Sequence, residues 1–290
     1  ILAHQAGLYP WIPFYQQTLV KDSVSGLMQL RDTLYSKEFS KEFPIKVTDN
    51  IYLHHSYPDS IIQQIINSEL LEKKEYRYSD LGYYLLKEII EKKYGKAINS
   101  IAADEFYTKL GMENLGYLPL GRVGEERIVP TEDDFLFRGQ LLKGYVHDMG
   151  AAMQGGIGGH AGLFSNANDL AKLMQMYLQN GEYAGERYLS QEVVREFTKC
   201  QFPKNDNRRG AGFDKTALSD QKGGPASENA NQDGFGHSGF TGTLVWADPK
   251  TQIVYVFLSN RIHPDSTNKK LLTMDVRTNI MEVIFKSIND

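Results

Sequence analysis

A chain of 290 residues that is 41% hydrophobic, 23% charged and 11% aromatic is long enough for one large domain or two packed subdomains and has the balance of a folded globular protein. Its formal net charge of -4 argues against a basic face built for nucleic acid, and no apolar run approaches the length that spans a bilayer. The single cysteine, Cys200, excludes an internal disulfide framework and a cysteine-based metal cage, a count that suits the cytosol and a bacterial periplasm equally.

The chain opens ILAHQAGLYPW, without initiator methionine, basic n-region or signal-like apolar stretch. Two leading apolar residues make a poor domain edge, so Ile1 is expected to lie inside a longer polypeptide. Pro58-Asp59 is a good helix start, with Ile61, Ile62, Ile65 and Ile66 as its apolar stripe. The stretch YRYSDLGYYLLKEIIEKKYG predicts a second helix. Leu81, Leu85, Leu86, Ile89 and Ile90 would form its inner face, Lys92 and Lys93 would favour the negative end of the dipole, and Gly95 would be the left-handed cap. Ile101, Ala102, Phe106 and Leu110, closed by Gly111, suggest another helix. Asn166-Ala167-Asn168-Asp169 supplies caps for one through Leu170, Leu173, Met174 and Tyr177, ending at Asn180-Gly181.

From residue 201 to 236 the sequence is polar and rich in Gly, Asn and Asp, which reads as loop with a short strand near Gly210–Phe213. Two strands are expected next, Thr243–Trp246 and Ile253–Leu258, joined by a turn at Asp248-Pro249-Lys250-Thr251. The second strand is apolar without alternation, so helices should cover both of its faces. Leu272, Val276, Ile280 and Ile284 recur every four residues and predict a closing helix.

Two short clusters could carry chemistry: Tyr78-Ser79-Asp80 ahead of a helix, and His237-Ser238-Gly239 entering a strand. Each alone is weak, because Ser79 or Asp80 could simply cap the helix. Order and context add weight. Serine β-lactamases and penicillin-binding proteins use a Ser-x-x-Lys nucleophile, then a polar triplet, then a strand with a Lys-Thr-Gly element. In the class C branch and related esterases and peptidases the triplet is Tyr-x-Asn and the strand element can be His-x-Gly. Over nearly its whole length the chain resembles that branch, on AHQAGL, YRYSDLG, KLGMENLGY, GHSGFTGTLVWADP and, most specifically, VHDMGAAMQGGIGGHAGLFSNANDLAKLMQMYLQNG.

The resemblance implies an α/β chain of the α+β type, β-lactamase/transpeptidase-like, with an antiparallel sheet flanked by helices. Residues 1–205 would form a mostly helical subdomain with cleft loops, and 206–290 the sheet hairpin and last helix. It also implies an acyl-enzyme mechanism on a cell-wall peptide, a β-lactam or an ester. Tyr78 would relay a proton near nucleophile and leaving group, which for a phenol requires nearby cations. His237, where other members carry lysine, would supply a donor or partial positive charge. Gly239 would leave the strand edge open for an extended substrate, the Phe240 N–H would be an oxyanion donor, and Ser238 would contact a substrate carboxylate or amide. Asp80 departs from the usual asparagine: an ionised carboxylate only accepts hydrogen bonds, so it suits a lysine or a substrate N–H.

The family's Ser-x-x-Lys belongs upstream of AHQAGL, which here opens the chain. Literal matches at Ser219–Lys222 and Ser266–Lys269 come after the tyrosine element in polar, loop-like sequence, whereas the motif needs a helix to aim both side chains into one cleft. The expected partners are therefore the missing N-terminal part of the same polypeptide, with its sheet strands, and a small-molecule or peptidoglycan-derived substrate. No cofactor, metal or nucleic acid is expected, and no transmembrane segment lies in this chain. ILAHQAGLYPW is similar to envelope proteins of gut-type bacteria that join a glycosidase acting on N-acetylglucosaminides to such a module, which implies a periplasmic or envelope setting. A non-catalytic muropeptide-binding module is the alternative. Gly156–Ala161 lacks the preceding strand of a dinucleotide site. His54, His55, His147 and His160 lack metal-ligand spacing. Arg208-Arg209 reads as a solvated loop pair, and His4 as a loop-holding residue.

Overall fold

The computed structural model describes residues 1–218 and 223–289. Small antiparallel pieces come first: the hairpin β1 (Leu19–Lys21) and β2 (Met28–Leu30), then β3 (Tyr35–Ser36), β4 (Ile45–Thr48) and β5 (Ile51–Leu53), arranged β3-β5-β4. Helices α1 (Tyr57–Ile66) and α2 (Leu81–Tyr94) follow, then the short α3 (Ile98–Ala102). A hairpin of β6 (Pro130–Asp134) and β7 (Gln140–Lys143) leads into one turn, α4 (Met149–Ala152), and then α5 (Ala167–Leu178). A small hairpin, β8 (Glu182–Tyr183) and β9 (Glu186–Arg187), precedes α6 (Gln191–Thr198). The last third holds β10 (Asp214–Lys215), β11 (Phe235–Ser238), β12 (Leu244–Asp248), β13 (Ile253–Phe257), α7 (Lys270–Thr273) and α8 (Val276–Asn289).

Strands β10 to β13 form one antiparallel sheet in sequence order. Side chains alternate across it, and each face has its own cover. Val245, Ala247 and Val254 pack with Phe235 against Met174 and Leu178 of α5. Leu244, Trp246 and Tyr255 pack against Met281 and Phe285 of α8. This sandwich explains the unbroken apolar run of β13. Helix α5 lies on the sheet although it precedes residue 205.

A second core lies under α1 and α2, where Ile61, Ile65, Leu81 and Tyr84 meet Leu53, Ala151 and Met153. Helix α2 ends as expected, on Gly95 at φ 64°. Its inner face differs from the expected stripe: Tyr84 and Lys87 are buried and Ile89 is exposed. Lys87 tolerates burial because its Nζ donates to Gln154 Oε1 (3.0 Å) and pairs with Glu91 (3.8 Å). The helix expected across Ile101–Leu110 changes register, with a π turn at Ala103–Tyr107. The strand expected at Gly210–Phe213 is a turn closed by Gly210 N–H to the Phe213 carbonyl, and β10 starts one residue later. The closing helix is broken at Asp275, φ 47°, so Leu272 belongs to α7 and not to α8.

Candidate active site

Residues 76–80 form a loop entering α2, and the first ten residues of the chain hold it in place. Main-chain N–H groups of Arg77 and Asp80 donate to the carbonyls of His4 and Pro10, both at 3.0 Å. Ser79 N–H donates to His4 Nδ1 (3.1 Å), and Ser79 Oγ donates to the Tyr9 carbonyl (2.6 Å) while accepting from Leu81 N–H (3.2 Å). Ser79 is thus the structural member of the triplet. Asp80 takes the N-cap position of α2 without a capping hydrogen bond from its side chain, which leaves its carboxylate to face the neighbouring groups. Tyr78 projects outward, 42% exposed, and stacks on the ring of His4. His4 therefore holds the loop, as expected. Burial, followed by the charge of Arg209, drops its pKa to about 4, so the ring is neutral and free to accept.

Beside this loop is β11. The ring of His237 lies 6.4 Å from that of Tyr78, centroid to centroid, at 54°. These two groups, 159 positions apart in sequence, meet at one place. Between them lies Arg209, one of the two arginines that the sequence alone suggests are solvated. The guanidinium of Arg209 sits 5.2 Å from the Tyr78 centroid, and its Nη1 donates to His237 Nε2 at 3.1 Å. It is only 7% exposed and pairs with Asp214 (3.1 Å), which Arg208 also grips through two bonds of 2.7 and 3.0 Å. The solvated-pair reading fails because Asp214 and His237 draw the arginines inward.

The contacts of His237 bear on the role expected of it. Arginine only donates, so Nε2 accepts, and Nδ1 lies 2.8 Å from the Ser238 carbonyl. Neither nitrogen is left to donate to a substrate in this arrangement. Burial, then Arg209, holds the imidazole below its ordinary pKa.

Beyond Gly236 the sheet edge is open, because β10 pairs only with Phe235 and Gly236. Ser238, Gly239 and Phe240 line this edge. A Cβ at Gly239 would also meet Thr243 Oγ1 inside the turn. Phe240 is 64% exposed, with Arg261 over its ring (4.4 Å) and His147 stacked against it (4.9 Å, 9°). The Phe240 carbonyl accepts from Arg261 Nε (2.8 Å), which fixes the peptide on the far side of its N–H. His147 in turn touches Glu132 (2.7 Å), and Arg138 bridges Glu132 (3.2 Å) and Asp134 (2.6 Å) in a buried ion chain.

Burial raises the pKa of Asp80, with His160 opposing the shift. Behind it, His160 stacks on Tyr84 and bonds Asp148 at 2.7 Å. For Tyr78, burial first and Asp80 second push the phenol up to about 12 against the pull of Arg209. The cations present are therefore insufficient to ionise it near neutral pH.

Ser266 lies in an exposed loop ahead of α7, so it is not aimed by a helix, and Ser219–Lys222 lies outside the described residues. Among the described residues no three His, Cys, Asp or Glu side chains converge as a metal site, and no helix is long and apolar enough to cross a membrane.

Comparison with known proteins gives concordant results. The Beta-lactamase family model matches residues 1–276. A putative D-alanyl-D-alanine carboxypeptidase of Escherichia coli (strain K12) is 29% identical over 277 residues, which cover 90% of this chain and 56% of that protein. An N-acetylmuramyl-L-alanine amidase of Bacillus subtilis (strain 168) is 34% identical over 201 residues, 64% of this chain and 44% of that protein. The chain thus spans about half the length of these curated relatives. Among solved structures, a penicillin-binding protein homologue from Caulobacter crescentus aligns with TM-score 0.53 at 17% identity, covering 89% of this chain and 64% of that one. A β-lactamase from Mycobacterium bovis aligns with TM-score 0.52 at 18% identity, covering 76% and 67%. At these identities the structures show the shared fold.

Proposed function

The chain belongs to the β-lactamase family of serine hydrolases, and from that premise we propose that it forms one wall of an acyl-transfer site acting on a peptidoglycan-type peptide. The relatives' names, a D-alanyl-D-alanine carboxypeptidase and a muramyl-alanine amidase, favour cell-wall amides over esters and β-lactams. They also favour work in the cell envelope. In this reading the nucleophile is the serine of a Ser-x-x-Lys element, which the described residues do not bring to Tyr78.

One observation carries the reading: Tyr78 and His237 face each other beside an open strand edge that ends at the Phe240 N–H, which has no main-chain partner among the described residues. An extended peptide laid along Ser238–Phe240 gains main-chain hydrogen bonds as an added strand. Its scissile carbonyl then lies near the Phe240 N–H, which stabilises the tetrahedral oxyanion. Tyr78 transfers the proton between serine and leaving amine. A phenol held at about 12 needs a further cation to act as base, and the lysine of a Ser-x-x-Lys element meets that requirement. Asp80 accepts from that ammonium or from a substrate N–H.

The test is mass spectrometry of the full-length protein after exposure to a penicillin or a fluorophosphonate. A stable adduct on the serine of a Ser-x-x-Lys element is the expected result. Tight muropeptide binding with no adduct would replace the enzyme with a binding module.

A further inference from the structure

Arg209 is buried, charged and central, and nothing in the mechanism above uses it. Its guanidinium makes four contacts at once: the faces of Tyr78 and Tyr76, Nε2 of His237 and the carboxylate of Asp214. Asp214 does not need it, because Arg208 already binds that carboxylate through two nitrogens. Arg209 Nε is buried without a hydrogen-bond partner among the described residues. A side chain kept buried with a donor unsatisfied, and redundant for its ion pair, is retained at a cost. Its other contacts should account for that cost.

We propose that Arg209 is a positioning residue: it fixes His237 with Nε2 as acceptor and Nδ1–H on the Ser238 carbonyl, and serves as the permanent cation beside Tyr78. This deepens the acyl-transfer reading and rests on it for its catalytic meaning, though its structural content can be tested separately. A planar fork donates in two directions from one plane, which a lysine cannot reproduce. Holding the imidazole neutral places it between the main chain of β11 and the guanidinium, so its orientation sets the open edge beyond Gly236. The positive field at Tyr78 then does not change with pH, as it would if His237 supplied it. The titratable and charged groups facing this imidazole are Arg209 and Asp214 from the β10 arm, His4 from the amino-terminal strap, and Tyr78.

The experiment is nitrogen-15 NMR of the full-length protein labelled at histidine, with His237 assigned through His237→Asn. The wild-type ring is expected in the Nδ1–H tautomer and untitrated through the ordinary histidine range near 6.5 or so. In Arg209→Gln the tautomers should mix and His237 should titrate near that ordinary value. Turnover should fall about ten- to a hundredfold and acquire a matching ionisation in its pH profile. Arg209→Lys should keep the charge yet lose the fixed tautomer. A wild-type Nε2–H tautomer overturns the proposal, as does an unchanged His237 spectrum and pH profile in Arg209→Gln. Should Arg209→Gln not fold, the wild-type spectrum and Arg209→Lys decide the matter. The expected spectra with no acyl adduct would remove the enzyme reading and leave Arg209 as the organiser of a binding groove.

Discussion

The ring of Tyr78 stacks on the buried ring of His4, with centroids 4.2 Å apart and planes inclined by 28°. The outer group is thus supported by a residue 74 positions upstream that is itself 4% exposed and hydrogen-bonded to the main chain of Ser79. Because the folded protein holds His4 neutral, with a pKa lowered from 6.5 to about 4, folding releases a proton between those values. Stability from this group is complete above 6.5 and is lost as pH falls toward about 4. At about 1.4 kcal/mol per pH unit the loss approaches about 3 kcal/mol. His237, also depressed, adds to it in the same direction. Urea unfolding across this range should show the slope, and His4→Gln should flatten it; parallel slopes in both proteins would exclude His4.

Tyr78→Phe keeps the stack and removes the hydroxyl. In the full-length protein it should lower turnover by about a hundredfold or more, the usual consequence of losing an acid–base group, with little change in melting temperature. Unchanged steady-state rates would take the phenol out of the mechanism.

Gly239→Ala places a methyl against Thr243 Oγ1. The overpacked turn should cost about 1–3 kcal/mol. Thr243→Ala in the same chain should recover most of that loss, because the two changes share one space. A double-mutant cycle in denaturant measures the coupling, and strict additivity would show that the glycine is needed by something else.

Arg138 has no exposed side-chain surface and neutralises two nearly buried carboxylates, Glu132 and Asp134. Arg138→Met should destabilise the fold by about 3–5 kcal/mol, since it leaves buried charges unpaired. The damage should reach Phe240 through His147. Chemical denaturation gives the first quantity, and a loss of hydrogen-exchange protection around Phe240 would show the second.

Much of the site was legible because its two clusters are local in sequence. Tyr-Ser-Asp before a helix and His-Ser-Gly entering a strand need only short-range reading, and the described structure brings Tyr78 and His237 side by side. Helix ends were equally local, as at Gly95. The errors are tertiary. Apolar residues surround α2 on most sides, so periodicity could not choose between Ile89 and Tyr84, and only the partners of Lys87 explain its burial. In α8 a four-residue repeat drifts by about 40° per step around the helix; Ile284 packs only at the margin of the core and Ile280 is exposed, so the stripe does not follow the inner face. Met281 and Phe285 are the residues that pack there. Arg209 was missed because two arginines among Gly and Asn look solvated until Asp214 and His237 converge on them from outside the window.

The amide of Asn207 reaches the carbonyl of Ala3 at 2.8 Å and the side chain of Gln5 at 2.7 Å. Sequence positions some two hundred apart are thereby stitched together directly beside the arginine that crosses the groove. Removing residues 3–5 would therefore unfasten the segment that carries Arg209 and loosen the Tyr78–His237 pairing from a point remote along the polymer.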